Sequence, residues 1–323
     1  MCTALTLLTQ DHYFGRNLDF EHDFGECVVI TPRNYPFQYR YKETSTHHFA
    51  LIGMALVKDN YPLYFDASNE HGLSMAGLYF PGNAVYLPRK DNMDNVTPFE
   101  FIPWILSQCR SIGQAKTFLS RINLVDTAFS SKCPLSPLHW IIADKEEAVT
   151  IEPTADGIKI YDNPIGVLTN NPPFDYHMHN LSNFLNLTHE EPINRFSPKC
   201  AITPYSRGMG AIGLPGDLSS ASRFVRAAFV KLNSVCQDNE TSAVNQFFHI
   251  LRSVEQQNGC AKVGDLYEKT IYTSCCNVEE GIYYYTTYDN SQITGINMHN
   301  TDINGNSLST FPLICNAKIH IEN

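Results

Sequence analysis

Short segments rich in β-branched and aromatic residues recur along this chain, and turn-forming residues separate them. Such segments predict strands, for example at Thr3–Leu8, Cys27–Thr31 and Phe49–Leu56. Segments with helical spacing of apolar residues are grouped in separate blocks. Because strand blocks and helix blocks do not alternate regularly, the pattern favours an α+β fold with antiparallel sheets over a doubly wound parallel sheet.

Several of these segments are specific enough to locate. Four strand-like segments with turns between them predict an antiparallel meander: Leu138–Ala143, Ala148–Glu152, Gly157–Tyr161 and Gly166–Thr169. A hairpin is predicted around the turn Asp289-Asn290-Ser291, with strands Gly281–Tyr288 and Gln292–Met298. Helices are predicted at four places: Pro98–Cys109, Ile112–Ile122, Ser219–Val235 and Ser242–Val254.

Length and charge limit the possible functions. The 323 residues contain no repeat or low-complexity linker, so the simplest prediction is one domain spanning residues 1–323. A net charge of −10 argues against nucleic acid as a partner, because nucleic-acid sites need clustered Lys and Arg. No apolar run approaches the roughly 20 residues of a membrane span, and the N-terminus lacks the basic start of a signal peptide. The sequence therefore predicts a cytoplasmic protein without a membrane partner.

The sequence shows no metal or cofactor motif. The 10 cysteines are irregularly spaced and include no C-x-x-C pair, which is typical of reduced thiols in the cytosol. Gly208–Gly213 matches G-x-G-x-x-G, but Leu214-Pro215-Gly216 continues it as a loop, whereas a dinucleotide fingerprint opens a helix. We therefore predict no metal and no cofactor.

Cys2, directly after the initiator methionine, is the most informative residue for function. We expect Met1 to be removed, because a small residue follows it. Cys2 would then carry both a thiol and a free α-amine, a group whose unperturbed pKa is about 7.7–8. A thiol beside its own base is an activated nucleophile for acyl transfer. Taken alone, position 2 favours the simpler interpretation of Cys2 as a small residue at the start of a strand.

Further motifs along nearly the whole chain resemble those of the choloylglycine hydrolase family, which contains bile salt hydrolases and penicillin V acylases. The likeness is greatest to the bile salt hydrolases of Gram-positive gut bacteria. The motifs are Met1-Cys2-Thr3, Phe14-Gly15-Arg16-Asn17-Leu18-Asp19, Asn69-Glu70-His71-Gly72-Leu73, Gly166-Val167-Leu168-Thr169-Asn170-Asn171-Pro172, Gly213-Leu214-Pro215-Gly216-Asp217, Ser222-Arg223-Phe224 and Gly281-Ile282-Tyr283-Tyr284-Tyr285. The resemblance implies an N-terminal-nucleophile hydrolase fold, a four-layer αββα sandwich, that hydrolyses a linear amide. It also implies a homotetramer.

Family membership would assign a role to each matched polar residue. Cys2 is then the nucleophile, with Arg16 and Asp19 around it, Asn170 supplies an oxyanion donor, and Arg223 completes the site. Amide hydrolysis requires such a set, namely a nucleophile, a proton shuttle and a cradle for the oxyanion. Without the resemblance, a surface ion pair is the commoner fate of Arg16 and Asp19. The residue pattern likewise favours a turn role for Asn170, and Arg223 is equally an ordinary charge at a helix start.

Tyr79 is a departure from the motif of bile salt hydrolases. In Gly77-Leu78-Tyr79-Phe80-Pro81-Gly82, typical bile salt hydrolases have Asn at the position of Tyr79, and penicillin V acylases have Tyr. In the family this position donates its backbone N–H to the oxyanion, and Tyr preserves that donor. The side chain, by contrast, adds an aromatic wall and removes an amide group near the substrate.

The predicted substrate contacts are of two kinds. A flat steroid needs an apolar slot with few polar anchors, and the candidate walls are Phe20, Phe24, Phe65, Phe129 and Leu135. Ser206 and Arg207 could bind the anionic end of the leaving amine, with taurine preferred over glycine. The alternative for Arg207 is a solvated side chain on a loop.

The sequence thus supports three hypotheses. The first is an enzyme that cleaves glycine or taurine from conjugated bile salts. The second is a penicillin V acylase, which Tyr79 favours. The third is a non-catalytic binding protein on the same scaffold, which would require loss of site residues that are in fact present.

Overall fold

The computed structural model describes residues 1–323 and contains 17 strands and five α-helices. The strands are β1 (Cys2–Leu8), β2 (His12–Phe20), β3 (Cys27–Thr31), β4 (Leu51–Lys58), β5 (Tyr61–Asn69), β6 (Ser74–Tyr79), β7 (Asp94–Val96), β8 (Ile122–Leu124), β9 (Leu138–Ala143), β10 (Ala148–Thr154), β11 (Gly157–Asp162), β12 (Val167–Leu168), β13 (Ala261–Val263), β14 (Leu266–Asn277), β15 (Ile282–Thr287), β16 (Asn290–Asn297) and β17 (Ser309–Pro312). The helices are α1 (Phe101–Leu106), α2 (Ile112–Leu119), α3 (Phe174–Asn180), α4 (Ser220–Leu232) and α5 (Glu240–Arg252).

The strands form two large antiparallel sheets. In the first sheet the strand order is β12-β1-β2-β14-β15-β16, with β13 paired to β14. In the second sheet the order is β11-β10-β9-β6-β5-β4-β3-β17. Strands β7 and β8 make a separate parallel pair. The predicted antiparallel α+β class is therefore confirmed.

The two sheets face each other and each carries helices on its outer face. Helices α4 and α5 pack on β1, β2 and β14 of the first sheet, and α1 packs on β5 and β6 of the second. Strand β4 shows the layering residue by residue, since Ile52 and Met54 belong to the core between the sheets. Leu51 and Ala55 point the other way, into a second core shared with α1 and α2. These layers make the four-layer αββα sandwich.

Helix α4 begins where its sequence predicts. The Ser219 side chain accepts the backbone N–H of Ser222 and so caps the helix. One face of α4, with Phe224, Ala227 and Ala228, is fully or almost fully buried against the first sheet. This packing fixes Arg223, in the first turn, over the start of β1.

One predicted strand pairing is wrong. The segment Gly166–Thr169 was expected to continue the meander, but its strand, β12, pairs with β1 in the first sheet. The reason is local, because Gly166 has a φ of 62° and its N–H bonds to the Asn163 side chain, which turns the chain away from β11. The remaining three meander strands, β9 to β11, pair as predicted.

The predicted helices are found with small differences in extent. Pro98–Cys109 divides into a 3₁₀ turn at Pro98–Glu100 followed by α1, and α3 was not predicted. The turn of the C-terminal hairpin lies between β15 and β16, next to the predicted residues. None of the helices combines the length and apolar character that a membrane span needs.

Candidate active site

Cys2 begins β1 and is 3% exposed. Its register partner across the ladder is Leu18 of β2, and Ala4 is opposite Arg16. Because directly opposed residues share a face and faces alternate along a strand, the side chains of Cys2 and Arg16 lie on the same face. This face looks toward the second sheet, since Arg16 contacts carbonyl groups of β5 and β6.

Arg16 brings a buried positive charge to this face. Its Nη1 donates to the backbone carbonyl of Phe65 at 3.1 Å and also to that of Gly77. Its Nη2 has no partner in the structure although it is buried, which leaves a charged donor free for the sulfur or a bound group. Burial alone would lower the pKa of Arg16, but nearby acidic groups, with Cys2 first, raise it overall, so the guanidinium stays charged.

Asp19 lies on the opposite face of β2 from Arg16, toward the helices. Its Oδ1 accepts the hydroxyl of Thr270 at 2.6 Å, and its Oδ2 is 3.9 Å from Nη1 of Arg223. Burial raises the pKa of Asp19, while Arg223 and the chain's amino group oppose that rise. Arg16 therefore lies on the thiol side of Cys2, whereas Asp19 lies on the other face, next to Met1 and Arg223.

The residue before Cys2 is held in the same ladder. The N–H of Asp19 donates to the carbonyl of Met1 at 2.9 Å, and the Met1 ammonium donates to the carbonyl of Asp19 at 2.7 Å. The same ammonium makes an ion pair with Glu268 on β14, whose side chain is almost completely buried. Met1 therefore extends β1 by one residue and occupies the space beside the Cys2 nitrogen.

Asn170 meets Cys2 because of the β12–β1 pairing. Ala4 is opposite Leu168, so the same register continued by two residues brings Asn170 opposite Cys2. The Cys2 N–H donates to Asn170 Oδ1 at 2.7 Å, and Arg223 Nη2 donates to the same oxygen at 2.8 Å. Asn170 Nδ2 donates one hydrogen to the Tyr79 carbonyl at 2.7 Å. A second amide hydrogen remains for an oxyanion.

Tyr79 ends β6 with its backbone directed at this group. Phe80 donates its N–H to Pro137 across the ladder, and alternation along an antiparallel strand turns the N–H and C=O of Tyr79 to the other edge. Since the Tyr79 carbonyl meets Asn170 there, the Tyr79 N–H points to the same side. Tyr79 as a whole is 38% exposed.

Arg223 holds the backbone of Cys2 in place. Nη1 donates to the Cys2 carbonyl at 2.6 Å and to the Thr3 hydroxyl at 2.7 Å. The side chain is 1% exposed, and burial lowers the pKa of Arg223 while Asp19 opposes that effect. The positive charge of Arg223 thus compensates the negative charge of the buried Asp19 carboxylate.

Three of the expected wall residues are brought together. The ring of Phe24 lies 4.9 Å from that of Phe20 and 5.5 Å from that of Phe65, measured between centroids. Phe65 is also the residue whose carbonyl holds Arg16, so this cluster adjoins the site.

The other expected contacts are not brought to this cluster. Phe129 packs on Phe99 and Tyr61 beside the second core, and Leu135 is a half-buried loop residue. Ser206 and Arg207 are exposed. The substrate contacts expected of these four residues remain predictions.

Several supporting residues were not found by sequence reasoning. Ser220 Oγ accepts the N–H of Asn170 at 2.8 Å, and His177 Nε2 lies 2.8 Å from the Asn170 carbonyl. His177 is fully buried. Thr270 and Glu268 come from β14, more than 200 residues along the chain from Cys2. No local motif marks them, because their roles arise only from the pairing of β14 with β2.

Comparison with known proteins agrees with this geometry. Residues 2–311 match the model of the linear amide C–N hydrolases, choloylglycine hydrolase family. The chain belongs to the choloylglycine hydrolase family. Its chemistry is thus the hydrolysis of a carbon–nitrogen bond in a linear amide.

Individual relatives support the assignment. The chain is 51% identical over 100% of both chains to a bile salt hydrolase/transferase of Lactiplantibacillus plantarum. A mutant conjugated bile acid hydrolase from Clostridium perfringens superposes with a TM-score of 0.93 at 35% identity over 100% of both chains. Penicillin V acylase from Agrobacterium tumefaciens has a TM-score of 0.76 at 17% identity, covering 96% of this chain and 91% of that one. This last likeness concerns the fold.

Proposed function

We propose that this chain hydrolyses the amide bond that joins glycine or taurine to a bile acid, with Cys2 as the nucleophile. The observation that carries the proposal is the placement of three residues around Cys2: Asn170, just after β12, and Arg223, on α4, hold its backbone, and Arg16, on β2, shares the face of its thiol. The similarity to a bile salt hydrolase/transferase over the full chain supports the same substrate class.

The reaction begins once Met1 has been removed and the Cys2 nitrogen is a free amine. That amine takes the thiol proton, and the sulfur attacks the amide carbonyl carbon. The carbonyl oxygen becomes an oxyanion, which the Tyr79 N–H and the second hydrogen of Asn170 Nδ2 stabilise. The amine of Cys2 then passes the proton to the leaving nitrogen, and glycine or taurine departs. Water hydrolyses the remaining thioester and releases the bile acid.

The other charged residues act on Cys2 rather than on the amide bond. Arg16 favours the thiolate through its fixed positive charge. Arg223 fixes the Cys2 carbonyl at 2.6 Å, and the Asp19 carboxylate lies 3.9 Å from the same guanidinium. Geometry of this kind keeps the sulfur and the base in reacting positions.

The substrate's steroid needs an apolar surface, and the rings of Phe20, Phe24 and Phe65 provide one next to Arg16. We infer that the hydrophobic face of the bile acid packs here, while its amide group reaches Cys2.

Hydrolysis of taurocholate, glycocholate and penicillin V by the same preparation tests this function. We expect release of taurine and glycine at rates well above that of phenoxyacetate, and loss of all three in Cys2→Ala. A protein with intact Cys2 and no Met1 that releases neither amino acid would contradict the proposal.

Penicillin V hydrolysis is a second candidate, favoured by the ring of Tyr79 at the site. A phenoxy group would stack on that ring. Faster hydrolysis of penicillin V than of either bile salt would make this the main function.

We also propose a homotetramer in the cytoplasm. Residues 185–214 expose large apolar side chains, among them Leu185, Phe196 and Tyr205 at 85% each, and association of subunits would cover them. All 10 cysteines are unpaired, as is typical of a reducing compartment. Light scattering coupled to size exclusion tests the oligomeric state against the 36.5 kDa chain.

A further inference from the structure

Asp66 is a fully buried carboxylate between the two sheets that the mechanism above does not use. It lies on β5 and accepts hydroxyl groups from Tyr272 at 2.7 Å, Tyr283 at 2.6 Å and Ser274 at 3.3 Å. These donors belong to β14 and β15 of the opposite sheet. A carboxylate that only accepts from three hydroxyls is satisfied in its ionised form.

At the same place the side chain of Arg16 extends in the opposite direction, from the first sheet to the second. Its Nη1 meets the carbonyl of Phe65, the residue directly before Asp66. Its backbone N–H donates at 3.1 Å to Ser274 Oγ, which in turn donates to Asp66. The backbone of Arg16 is therefore linked to Asp66 through Ser274, and its guanidinium meets the residue that precedes Asp66.

We propose that Asp66 is a positioning residue that holds Arg16 and balances its charge, and so sets how strongly Arg16 acts on Cys2. The inference rests on the proposed role of Cys2 as nucleophile. Burying a single charge is costly, and a nearby opposite charge offsets that cost. Asp66 thereby keeps Arg16 charged and fixed before a thiolate forms.

The electrostatics around Asp66 agree with this role. Burial raises the pKa of Asp66, and Arg16 followed by the tyrosine hydroxyls opposes that rise. In turn, Asp66 is one of the groups that raise the pKa of Arg16. The titratable groups that face Asp66 are Arg16 on β2, Tyr272 and Cys276 on β14, and Tyr283 on β15.

The first test is Asp66→Asn in protein that lacks Met1. Asn keeps the size and an acceptor for the hydroxyls but removes the negative charge. The probe is iodoacetamide, and the readout is labelling of the peptide that carries Cys2, followed across pH by mass spectrometry. Because the charge of Arg16 is then uncompensated, we expect the labelling midpoint to move to lower pH by about 0.5 unit or more. We also expect kcat to fall, with KM within about twofold of the wild type.

Two matched variants separate charge from packing. Tyr283→Phe removes one buried hydrogen bond to the same carboxylate and leaves its charge. Glu70→Gln removes a similarly buried carboxylate that pairs with Arg33 at a distance from the site. Both are expected to keep the wild-type midpoint. A midpoint in Asp66→Asn that is unchanged, or that moves to higher pH, would overturn the proposal.

The stabilities of the single and double variants test the pairing independently, and where Asp66→Asn alone does not fold, a folded double variant supports the pairing. If Arg16 and Asp66 are charge partners, Arg16→Leu combined with Asp66→Asn is more stable than the sum of the single losses predicts. Additive losses, or an unfolded double variant, would contradict the pairing. Additive losses would contradict only the pairing of Arg16 with Asp66. Full activity in Cys2→Ala would instead contradict the proposed function.

Discussion

The side-chain oxygen of Asn170 receives both the backbone N–H of Cys2 and the guanidinium of Arg223, at 2.7 and 2.8 Å. The amide nitrogen of the same side chain points to the carbonyl of Tyr79. One residue therefore connects the N-terminal strand, helix α4 and the end of β6. In the proposed mechanism its two ends have different tasks, since the oxygen would orient Cys2 and the nitrogen would face the oxyanion.

Asn170→Ala is expected to lower kcat by roughly 10²–10³, the usual cost of one lost oxyanion donor. Asn170→Asp keeps the acceptor for Cys2 and Arg223 but loses the donor, so a similar loss is expected. Steady-state kinetics on taurocholate measures both. If only KM changed, Asn170 would belong to substrate binding rather than to catalysis.

Cys2→Ala is expected to abolish hydrolysis while the protein still folds, because it removes only the sulfur of a small buried side chain. Cys2→Ser should also be very poor, since an alcohol is far less acidic than a thiol. Amino acid release and thermal unfolding check the two halves of this prediction. Activity of Cys2→Ala above a tenth of the wild type would exclude Cys2 as the nucleophile.

Retention of Met1 is expected to inactivate the enzyme. The Cys2 nitrogen is then an amide without an available lone pair, and Met1 fills the space beside it. Intact-mass analysis of each preparation, together with its specific activity, makes the comparison. Normal turnover in a sample that fully retains Met1 would place the base elsewhere.

Tyr79→Asn is expected to shift preference from penicillin V toward conjugated bile salts. The exposed ring offers a stacking surface, and Asn would replace it with a polar group. The ratio of kcat/KM for penicillin V and taurocholate, measured in both proteins, is the test. An unchanged ratio would mean that Tyr79 contributes only its backbone.

Arg207→Gly is expected to reduce kcat/KM more for taurocholate than for glycocholate. Arg207 is exposed, so a charge-assisted bond to the sulfonate is screened by water, and the difference should be on the order of 1 kcal/mol, or a few-fold. The same measurement on Lys199→Gly, an exposed cation in the same segment, controls for charge. Equal losses on both substrates would indicate that Arg207 is a solvated side chain that does not contact the sulfonate.

Local sequence patterns predicted most strands and helices because alternation and helical spacing are properties of short segments. The pairing of β12 was not predictable in this way, since Val167 and Leu168 are both buried and do not show which sheet receives them. That pairing also places Asn170 beside Cys2, so spacing alone could not reveal the site.

The resemblance to known motifs supplied Asn170 and Arg223, for which local chemistry favoured ordinary structural roles. Arg16 and Asp19 lie on opposite faces of β2, as alternation along a strand requires of residues three apart. What could not be anticipated is that both faces serve Cys2, one through its side chain and the other through its backbone. Asp66 and Glu268 were missed because partners from distant strands give them their surroundings.

Arg16 belongs to one sheet, whereas the carbonyl groups that hold it belong to the other. During refolding, a chain whose strands have paired within each sheet, but whose sheets have not yet docked, would show native-like circular dichroism and no turnover. Recovery of activity therefore reports the docking of the two sheets. Until that step Arg16 shares a sheet face with Cys2 but lacks the carbonyl groups of the other sheet that fix its guanidinium.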